Sequence, residues 1–213
     1  MKMLITGGNT QTPIDSVRSI TNIFKGKTSI QIAAAANTYY EVTLLGNKEM
    51  SSSVSDGINF VPYRTYDELY SSMESLIKQN KYDVIIHSAA VGDYKVDGVY
   101  DANMQLINND GKVGSSHNEL YLKLVPTEKI VDKIRDWGFG GKLVKFKLQV
   151  NMSDEELIKI AEASRVTSNA DFIVANCLEW AKEYAYIMNE NKCKKVARCD
   201  LGIELIKSLG EHK

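Results

Sequence analysis

Three polar side chains near the start of the chain could bind and activate an anionic group. Asp15, Arg18 and Asn22 are spaced three and four residues apart, which would place them on one face of a helical turn. Arginine holds a carboxylate or phosphate through two parallel hydrogen bonds, and asparagine can donate to a developing oxyanion without titrating. The alternative is structural, with Asp15 and Arg18 as an ion pair and Asn22 as a cap.

The loop that precedes them is typical of a phosphate site. Gly7-Gly8-Asn9-Thr10 follows a short apolar strand and leads towards a helical run rich in alanine. Glycines let the backbone approach a ligand closely, and successive backbone N–H groups can cradle a phosphate. The loop matches neither the dinucleotide fingerprint nor the P-loop, so a tight turn without a ligand is the alternative.

Two further charged residues could act on phosphates. Asp93 follows a buried strand that ends in small residues, which leave room for a flat ligand and place the carboxylate to hold Mg²⁺. Lys112 stands in the glycine-bounded segment from Gly111 to Gly114, and a lysine on a mobile loop can close over a triphosphate. A turn cap for Asp93 and a solvated charge for Lys112 are the alternatives.

The elements that must position these residues alternate between strand and helix. The pattern predicts an α/β fold with a three-layer, open, mostly parallel Rossmann-like sheet and helices on both faces. Ligands of such sheets bind outside the carboxyl ends of the strands. Strands are predicted at residues 2–5, 41–45, 58–62, 82–87, 119–125, 142–146 and 171–175, helices at 26–39, 66–79, 127–137, 153–167 and 200–209, and a hairpin at 184–197.

One long segment interrupts the alternation. Residues 92–118 show little periodicity and are rich in Gly, Asn and Asp, which predicts a functional flap. The 213 residues otherwise suit one domain, at residues 1–213, with a sizeable core.

The composition argues against two kinds of partner, nucleic acids and membranes. The net charge of −1 predicts no nucleic-acid partner, and no apolar run approaches the roughly 20 residues of a membrane helix. Three cysteines, an odd number, with no leader before the first strand, predict reduced thiols and a cytoplasmic location.

Taken together, the motifs resemble phosphopantothenoylcysteine synthetase, also called phosphopantothenate–cysteine ligase, over nearly the whole chain. The length is similar to the stand-alone bacterial form, without a fused flavin-dependent decarboxylase domain. The motifs that carry the resemblance are the spaced pattern from Thr10 to Gly26, the run Ala89-Ala90-Val91-Gly92-Asp93-Tyr94, Lys112, Phe146-Lys147, and Asn169-Ala170-Asp171 with Ala175-Asn176.

The resemblance implies a ligation in two steps. The carboxylate of 4′-phosphopantothenate attacks the α-phosphate of a nucleoside triphosphate, CTP in the bacterial family and ATP in eukaryotic relatives, and pyrophosphate leaves. The amine of L-cysteine then displaces the nucleotide from the acyl-nucleotide. The resemblance also implies Mg²⁺ and a homodimer in which the flap and the region after Arg18 cross the interface.

The resemblance further implies a role for each matching residue. Catalysis falls to Asn22, Lys112 and Arg18, and Asp93 holds the metal. The residues implied for the nucleotide are Gly8, Thr10, Ala89, Asp93, Glu128, Lys129, Ile130, Phe146 and Arg165, and those implied for the acyl substrate are Asp15, Arg18, Asn22 and Gly26.

Several positions depart from the family pattern. Phe24 and Cys177 replace a small hydroxyl residue and an aspartate, Lys145 replaces a glycine, and Ser164 and Ser168 stand where many relatives carry lysines. These departures leave fewer positive charges around the triphosphate. The cations that could compensate are Lys25, Lys27, Lys145 and Arg165. Two alternatives stay open: a nucleotide-sensing paralogue without ligase activity, and an NAD(P)-dependent oxidoreductase of Rossmann type.

Overall fold

The computed structural model describes residues 1–107 and 111–210, so residues 108–110 of the predicted flap and 211–213 of the predicted domain lie outside it. The described residues form thirteen strands and five α-helices. The strands are β1 (Lys2–Gly7), β2 (Gln11–Pro13), β3 (Ser19–Thr21), β4 (Glu41–Asn47), β5 (Asn59–Tyr63), β6 (Val84–His87), β7 (Tyr94–Tyr100), β8 (Leu106–Ile107), β9 (Tyr121–Pro126), β10 (Lys142–Gln149), β11 (Phe172–Cys177), β12 (Tyr184–Met188) and β13 (Cys193–Ala197). The helices are α1 (Lys27–Ala36), α2 (Tyr66–Gln79), α3 (Ile130–Lys133), α4 (Asp154–Thr167) and α5 (Leu201–Leu209), with a 3-10 helix at Lys48–Ser53.

The central sheet has the order β13-β12-β11-β10-β6-β1-β4-β5. Its six strands from β11 to β5 are parallel, and β12 and β13 extend it as an antiparallel hairpin. In chain order the parallel strands run 3-2-1-4-5-6, the doubly wound arrangement whose switch point lies between β1 and β6. The predicted fold class and the predicted hairpin are therefore confirmed.

Alternating side chains of the central strands fill two cores, one on each face of the sheet. Met3 and Ile5 pack under α1 and α5, whereas Leu4 packs under α2 and α3. A strand buried on both faces reads as an unbroken apolar run, which is why β1 and β6 were recognisable from sequence. Pro62 is tolerated in β5 because that strand lies at the edge of the sheet.

Three predicted elements differ in the structure. The flap is not without secondary structure: β7 and β8 pair with β9 in a separate antiparallel sheet, so the strand predicted at 119–125 lies outside the central sheet. The helix predicted at 127–137 is only the short α3, because Thr127 is tied by hydrogen bonds to Gly92 O and Asp93 O and the backbone is still extended at Lys129. The segment around Asp15 is not a helical turn, since β2 and β3 form a small hairpin there.

The capping boxes fix where two long helices begin. Ser153 accepts a hydrogen bond from the backbone of Glu156, whose carboxylate accepts one from Ser153 N, as the sequence predicts for α4. Thr65 and Glu68 make the same reciprocal pair at the start of α2. These helices cover the face of the sheet on which the site described below is built.

Candidate active site

A cavity of about 380 Å³ opens at the carboxyl ends of β6 and β10, on the face covered by α2, α3 and α4. It lies beside the switch point, where ligands of such sheets bind. Its lining consists of His87, Ala89, Val91, Asp93, Glu128, Lys129, Ile130, Val131, Asp132, Lys145, Phe146, Lys147, Ser164, Thr167 and Ser168. Three lysines and three carboxylates therefore face a space that could hold a nucleotide.

Six of the nine residues predicted for the nucleotide line this cavity. They are Ala89, Asp93, Glu128, Lys129, Ile130 and Phe146. They come from three chain segments that are far apart in sequence, and the topology brings them to one edge of the sheet.

The segment from Glu128 to Ile130 owes its position to tertiary contacts rather than to helix formation. Tyr66 donates its hydroxyl to Glu128 O at 2.8 Å, and Lys129 forms an ion pair with Asp93. Both side chains of that ion pair lie at the rim of the cavity and are more than half exposed, so solvent weakens the attraction between them.

Gly8 and Thr10, also predicted for the nucleotide, instead join the first loop to the end of β6. Ala90 N donates to Gly8 O at 2.7 Å, and the Thr10 hydroxyl accepts from Gly92 N at 2.8 Å. Gly8 has a φ of 83°, a left-handed conformation that favours glycine. These contacts hold the segment between Ala89 and Asp93 in place beside the cavity.

Arg165, the remaining residue predicted for the nucleotide, is occupied by structural partners. Its guanidinium forms two hydrogen bonds with Glu162 and a third, of 3.0 Å, with Ala170 O. The side chain is 13% exposed and lies outside the cavity lining. It therefore ties the end of α4 to the start of the following strand.

Asn22 lies on the first loop, against the segment that borders the cavity. Its Nδ2 donates to Ala90 O at 3.1 Å and to Val91 O at 3.4 Å. Its backbone carbonyl accepts from the buried Asn9, which in turn accepts from Asn47 at the end of β4. These hydrogen bonds hold the Asn22 amide in place. Because the residue is exposed, a ligand can still reach it.

Asp15 and Arg18 form the structural ion pair that was one of the two sequence interpretations. Asp15 accepts from Arg18 Nη2 at 2.5 Å and from the backbone N–H groups of Val17, Arg18 and Val113. The Arg18 side chain beside it and these backbone donors hold the pKa of the carboxyl far below its usual range. Asp15 thus fixes the hairpin rather than presenting a free carboxylate.

The same contacts place Lys112. Arg18 Nη2 donates to Val113 O at 2.8 Å, and Ser16 N donates to Gly111 O at 3.0 Å. Both neighbours of Lys112 are therefore anchored to the β2–β3 hairpin, and its own side chain is exposed. Asp15 and Arg18 are therefore joined through hydrogen bonds to Val113, the neighbour of Lys112, almost 100 residues away in sequence.

Gly26 begins α1 at the point where the first loop returns to the sheet. Its φ of 76° is left-handed, and a Cβ there would lie 2.4 Å from Met50 Sδ and 2.8 Å from Gly8 N. Only glycine fits both the backbone and the space. The residue acts by letting two loops of the site touch.

The floor of the cavity contains two buried basic residues that occupy paired positions on β6 and β10, His87 and Lys145. His87 Nδ1 is 2.9 Å from the Thr6 hydroxyl, and burial, with the charge of Lys145, lowers its pKa to about 4. Burial also lowers the pKa of Lys145, whose ammonium contacts Ser164 O and Ser168 Oγ. No motif singled out His87 or Asp132, and Lys147 entered only as part of the Phe146-Lys147 motif, without a role of its own.

Within residues 1–107 and 111–210, no three His, Cys, Asp or Glu side chains cluster closely enough to form a metal site by themselves. In the same part of the chain, no helix combines the length and apolar character needed to cross a bilayer.

The sequence agrees with one family model over residues 1–205, that of the DNA/pantothenate metabolism flavoprotein C-terminal domain. The chain belongs to this family. The family expected from the motifs is therefore confirmed.

Individual members of the family support the same assignment. A coenzyme A biosynthesis bifunctional protein CoaBC from Thermococcus kodakarensis is 34% identical over 198 residues, which are 92% of this chain and 45% of that protein. The chain thus spans about half the length of the curated relatives it matches.

Solved structures match the fold over nearly all of the chain. The DNA/pantothenate metabolism flavoprotein from Streptococcus pneumoniae aligns with a TM-score of 0.86 and 27% identity, covering 98% of this chain and 97% of that one. A Cab2 variant in complex with phosphopantothenate-cysteine has the same fold, with a TM-score of 0.70 and 16% identity, over 96% of this chain and 88% of that one.

Proposed function

We propose that this chain joins 4′-phosphopantothenate to L-cysteine at the expense of a nucleoside triphosphate. The observation that carries the proposal is that the cavity and the first loop, with Asn22, meet at residues 89–93. Ala89, Val91 and Asp93 of this segment line the cavity, and the Asn22 amide donates hydrogen bonds to the carbonyls of Ala90 and Val91. Membership of the family and the CoaBC relative support coenzyme A biosynthesis as the setting.

The proposed reaction has two balanced steps. A carboxylate oxygen of 4′-phosphopantothenate attacks the α-phosphate of CTP or ATP, and the bond to the β-phosphate breaks to release pyrophosphate. The amine of cysteine then attacks the acyl carbon, loses a proton and expels the nucleoside monophosphate. Activation is needed because a free carboxylate is a poor acyl donor, and the nucleotide makes it a good one.

Each predicted residue has a task in this scheme. Asn22 donates a hydrogen bond to the acyl oxygen, where negative charge develops during the second step. Lys112, on the segment anchored by Arg18, neutralises charge as pyrophosphate leaves, and the exposed part of Arg18 meets the acyl substrate. The base and ribose occupy the cavity between the Glu128–Ile130 backbone and Phe146.

Asp93 is the residue that fits Mg²⁺. Its exposed carboxylate stands at the cavity rim, and magnesium in such sites takes one or two carboxylates together with phosphate oxygens. When bound, the ion would neutralise phosphate charge. The Lys129 ammonium, now paired with Asp93, would then be free to contact the nucleotide.

The proposal includes a homodimer. Large apolar side chains stand exposed on the β2–β3 hairpin, on the residues that follow it and on the flap sheet, whereas isolated proteins rarely leave such patches uncovered. They are Val17, Ile20, Ile23, Phe24, Tyr94, Leu106, Tyr121 and Leu124. Sedimentation velocity should therefore give twice the mass of the chain, and a Val17→Glu variant should shift it towards the monomer.

We also place the protein in the cytoplasm. All three cysteines are free thiols, with Cys193 and Cys199 exposed, which suits a reducing compartment.

The direct test mixes the chain with 4′-phosphopantothenate, L-cysteine, Mg²⁺ and either CTP or ATP. We expect pyrophosphate and phosphopantothenoylcysteine in equal amounts, with neither formed when cysteine and 4′-phosphopantothenate are both left out. Absence of product with both nucleotides would refute the ligase proposal.

The strand order 3-2-1-4-5-6 is also that of dinucleotide-binding domains, so NAD(P) belongs in the same experiment. We expect no binding, because β4 ends in Asn47 rather than in an acid that would hold the ribose. Nucleotide binding without ligation would instead favour the sensing paralogue.

A further inference from the structure

Lys145 is a buried cation without a buried anion to balance it. The residue is 8% exposed, and its Nζ contacts only neutral oxygens, Ser168 Oγ at 2.5 Å and Ser164 O at 3.1 Å. Among residues 1–107 and 111–210, no carboxylate comes within the 4.0 Å of an ion pair with it. A buried ammonium left this way is costly, and burial lowers its pKa although the charge of the exposed Asp132 in the cavity lining acts the other way.

Anchoring of a helix end does not explain why this lysine is buried. Lys142, three residues earlier on β10, donates its Nζ to Leu209 O at the end of α5, at 2.8 Å, and remains exposed. A lysine on this strand can therefore reach a helix end from solvent. Lys145 instead extends from the floor of the cavity and has a third N–H to offer.

The other cations near the cavity are paired, lie elsewhere or, as for Lys147 in the lining, are only partly buried. Lys129 pairs with Asp93, Lys133 with Glu128, and Arg165 with Glu162. Lys25 on the first loop and Lys27 at the start of α1 are exposed and do not belong to the cavity lining. Lys145 is thus the buried positive charge that an anion entering the cavity would meet.

We propose that Lys145 is a phosphate-binding residue of this chain and holds a phosphate oxygen of the nucleoside triphosphate. The inference rests on the proposed function, which places the nucleotide in this cavity. A bound phosphate supplies the counter-charge that Lys145 lacks, so the cost of burying the ammonium is recovered when the ligand binds. Ser164 and Ser168 hold the ammonium in position.

The test measures binding by calorimetry for the wild type, Lys145→Gln and the matched control Lys142→Gln. The titrants are CTP, ATP, cytidine, adenosine and, separately, 4′-phosphopantothenate. A hydrogen bond to a charged group is worth about 1.5–3 kcal/mol, so Lys145→Gln should bind the triphosphate about 10- to 100-fold more weakly. Nucleoside and 4′-phosphopantothenate affinities should not change, and Lys142→Gln should bind like the wild type.

A second variant tests whether weaker binding comes from the loss of the ammonium or from altered packing around position 145. Lys145→Gly combined with Ser168→Lys returns an ammonium to the same space from the helix side, because Ser168 Oγ touches the Nζ of Lys145. We expect this double variant to bind the triphosphate more tightly than Lys145→Gly alone.

The possible outcomes separate the two proposals. Equal losses for nucleoside and triphosphate, or an unchanged triphosphate affinity in Lys145→Gln, would overturn the role of Lys145 and leave the ligase proposal standing. A loss confined to 4′-phosphopantothenate would also overturn it, by assigning the lysine to the other substrate. A wild-type protein that binds neither CTP nor ATP would overturn both proposals.

Discussion

Substituting Gly26 by alanine should damage the protein far more than its size suggests. The residue begins α1 with a left-handed φ of 76°, and its added Cβ would lie 2.4 Å from Met50 Sδ and 2.8 Å from Gly8 N. The sulfur is the flexible end of a side chain and can move. The backbone nitrogen of Gly8 cannot move without shifting the first loop of the site.

Two costs add in this variant. A Cβ in the left-handed region costs about 1–2 kcal/mol, and forcing extra atoms into a packed site costs about 1–3 kcal/mol. The free energy of unfolding should therefore fall by about 2–5 kcal/mol. For a chain of this length, each kcal/mol lowers Tm by about 2–4 °C, so we expect a Tm lower by about 10 °C.

Alanine variants at two other glycines distinguish the backbone cost from the packing cost when their stability is measured by calorimetry or urea denaturation. Gly138 has a φ of 92°, and among the described residues nothing lies within 4 Å of its Cβ position, so Gly138→Ala should show the backbone cost alone, about 4 °C. Gly140 has open space and no left-handed φ, so Gly140→Ala should be neutral or slightly stabilising. The reasoning fails if Gly26→Ala melts at the same temperature as Gly138→Ala.

Three further variants test ionisable and amide groups of the site. In Asp15→Asn an amide N–H would face the donors of Arg18 and Val113, so limited proteolysis at pH 7 should cleave residues 111–118 faster than in the wild type. The pKa of Asp15 is lower in the folded than in the unfolded protein. Its contribution to wild-type stability is therefore present above pH 3.8 and is lost as the pH falls through the lower folded value. The loss of stability in acid should be steeper in the wild type than in Asp15→Asn. His87 has a folded pKa of about 4 against 6.5, so the wild type should lose roughly 3 kcal/mol of stability as the pH falls from 6.5 to 4, whereas His87→Asn should not; equal pH profiles in urea denaturation would contradict this. In Asn22→Asp a carboxylate would repel the charge that develops on the acyl oxygen, so quenched-flow analysis should find accumulated acyl-nucleotide, and normal turnover would refute the role of Asn22.

Some features follow from the sequence because they are local. The unbroken apolar runs of β6 and β11 predict central parallel strands, and Ser153 with Glu156 predicts the start of α4. Strand and helix alternation then fixes the fold class. Six of the predicted nucleotide residues line one cavity because they stand just after the carboxyl end of β6, in the second half of β10 or in the connection between these two strands.

Only the tertiary structure decided how the polar residues are used. Spacing predicts a helical face for Asp15 and Arg18, yet hydrogen bonds to Val113 bind them to a segment almost 100 residues away. Arg165 and Lys145 were both candidate compensating cations in the sequence, and only Arg165 was assigned to the nucleotide, since a lone cation gives no signal of its partner. The fold pairs Arg165 with Glu162 and buries Lys145 without a carboxylate, because the position of a counter-charge is a property of packing and not of spacing.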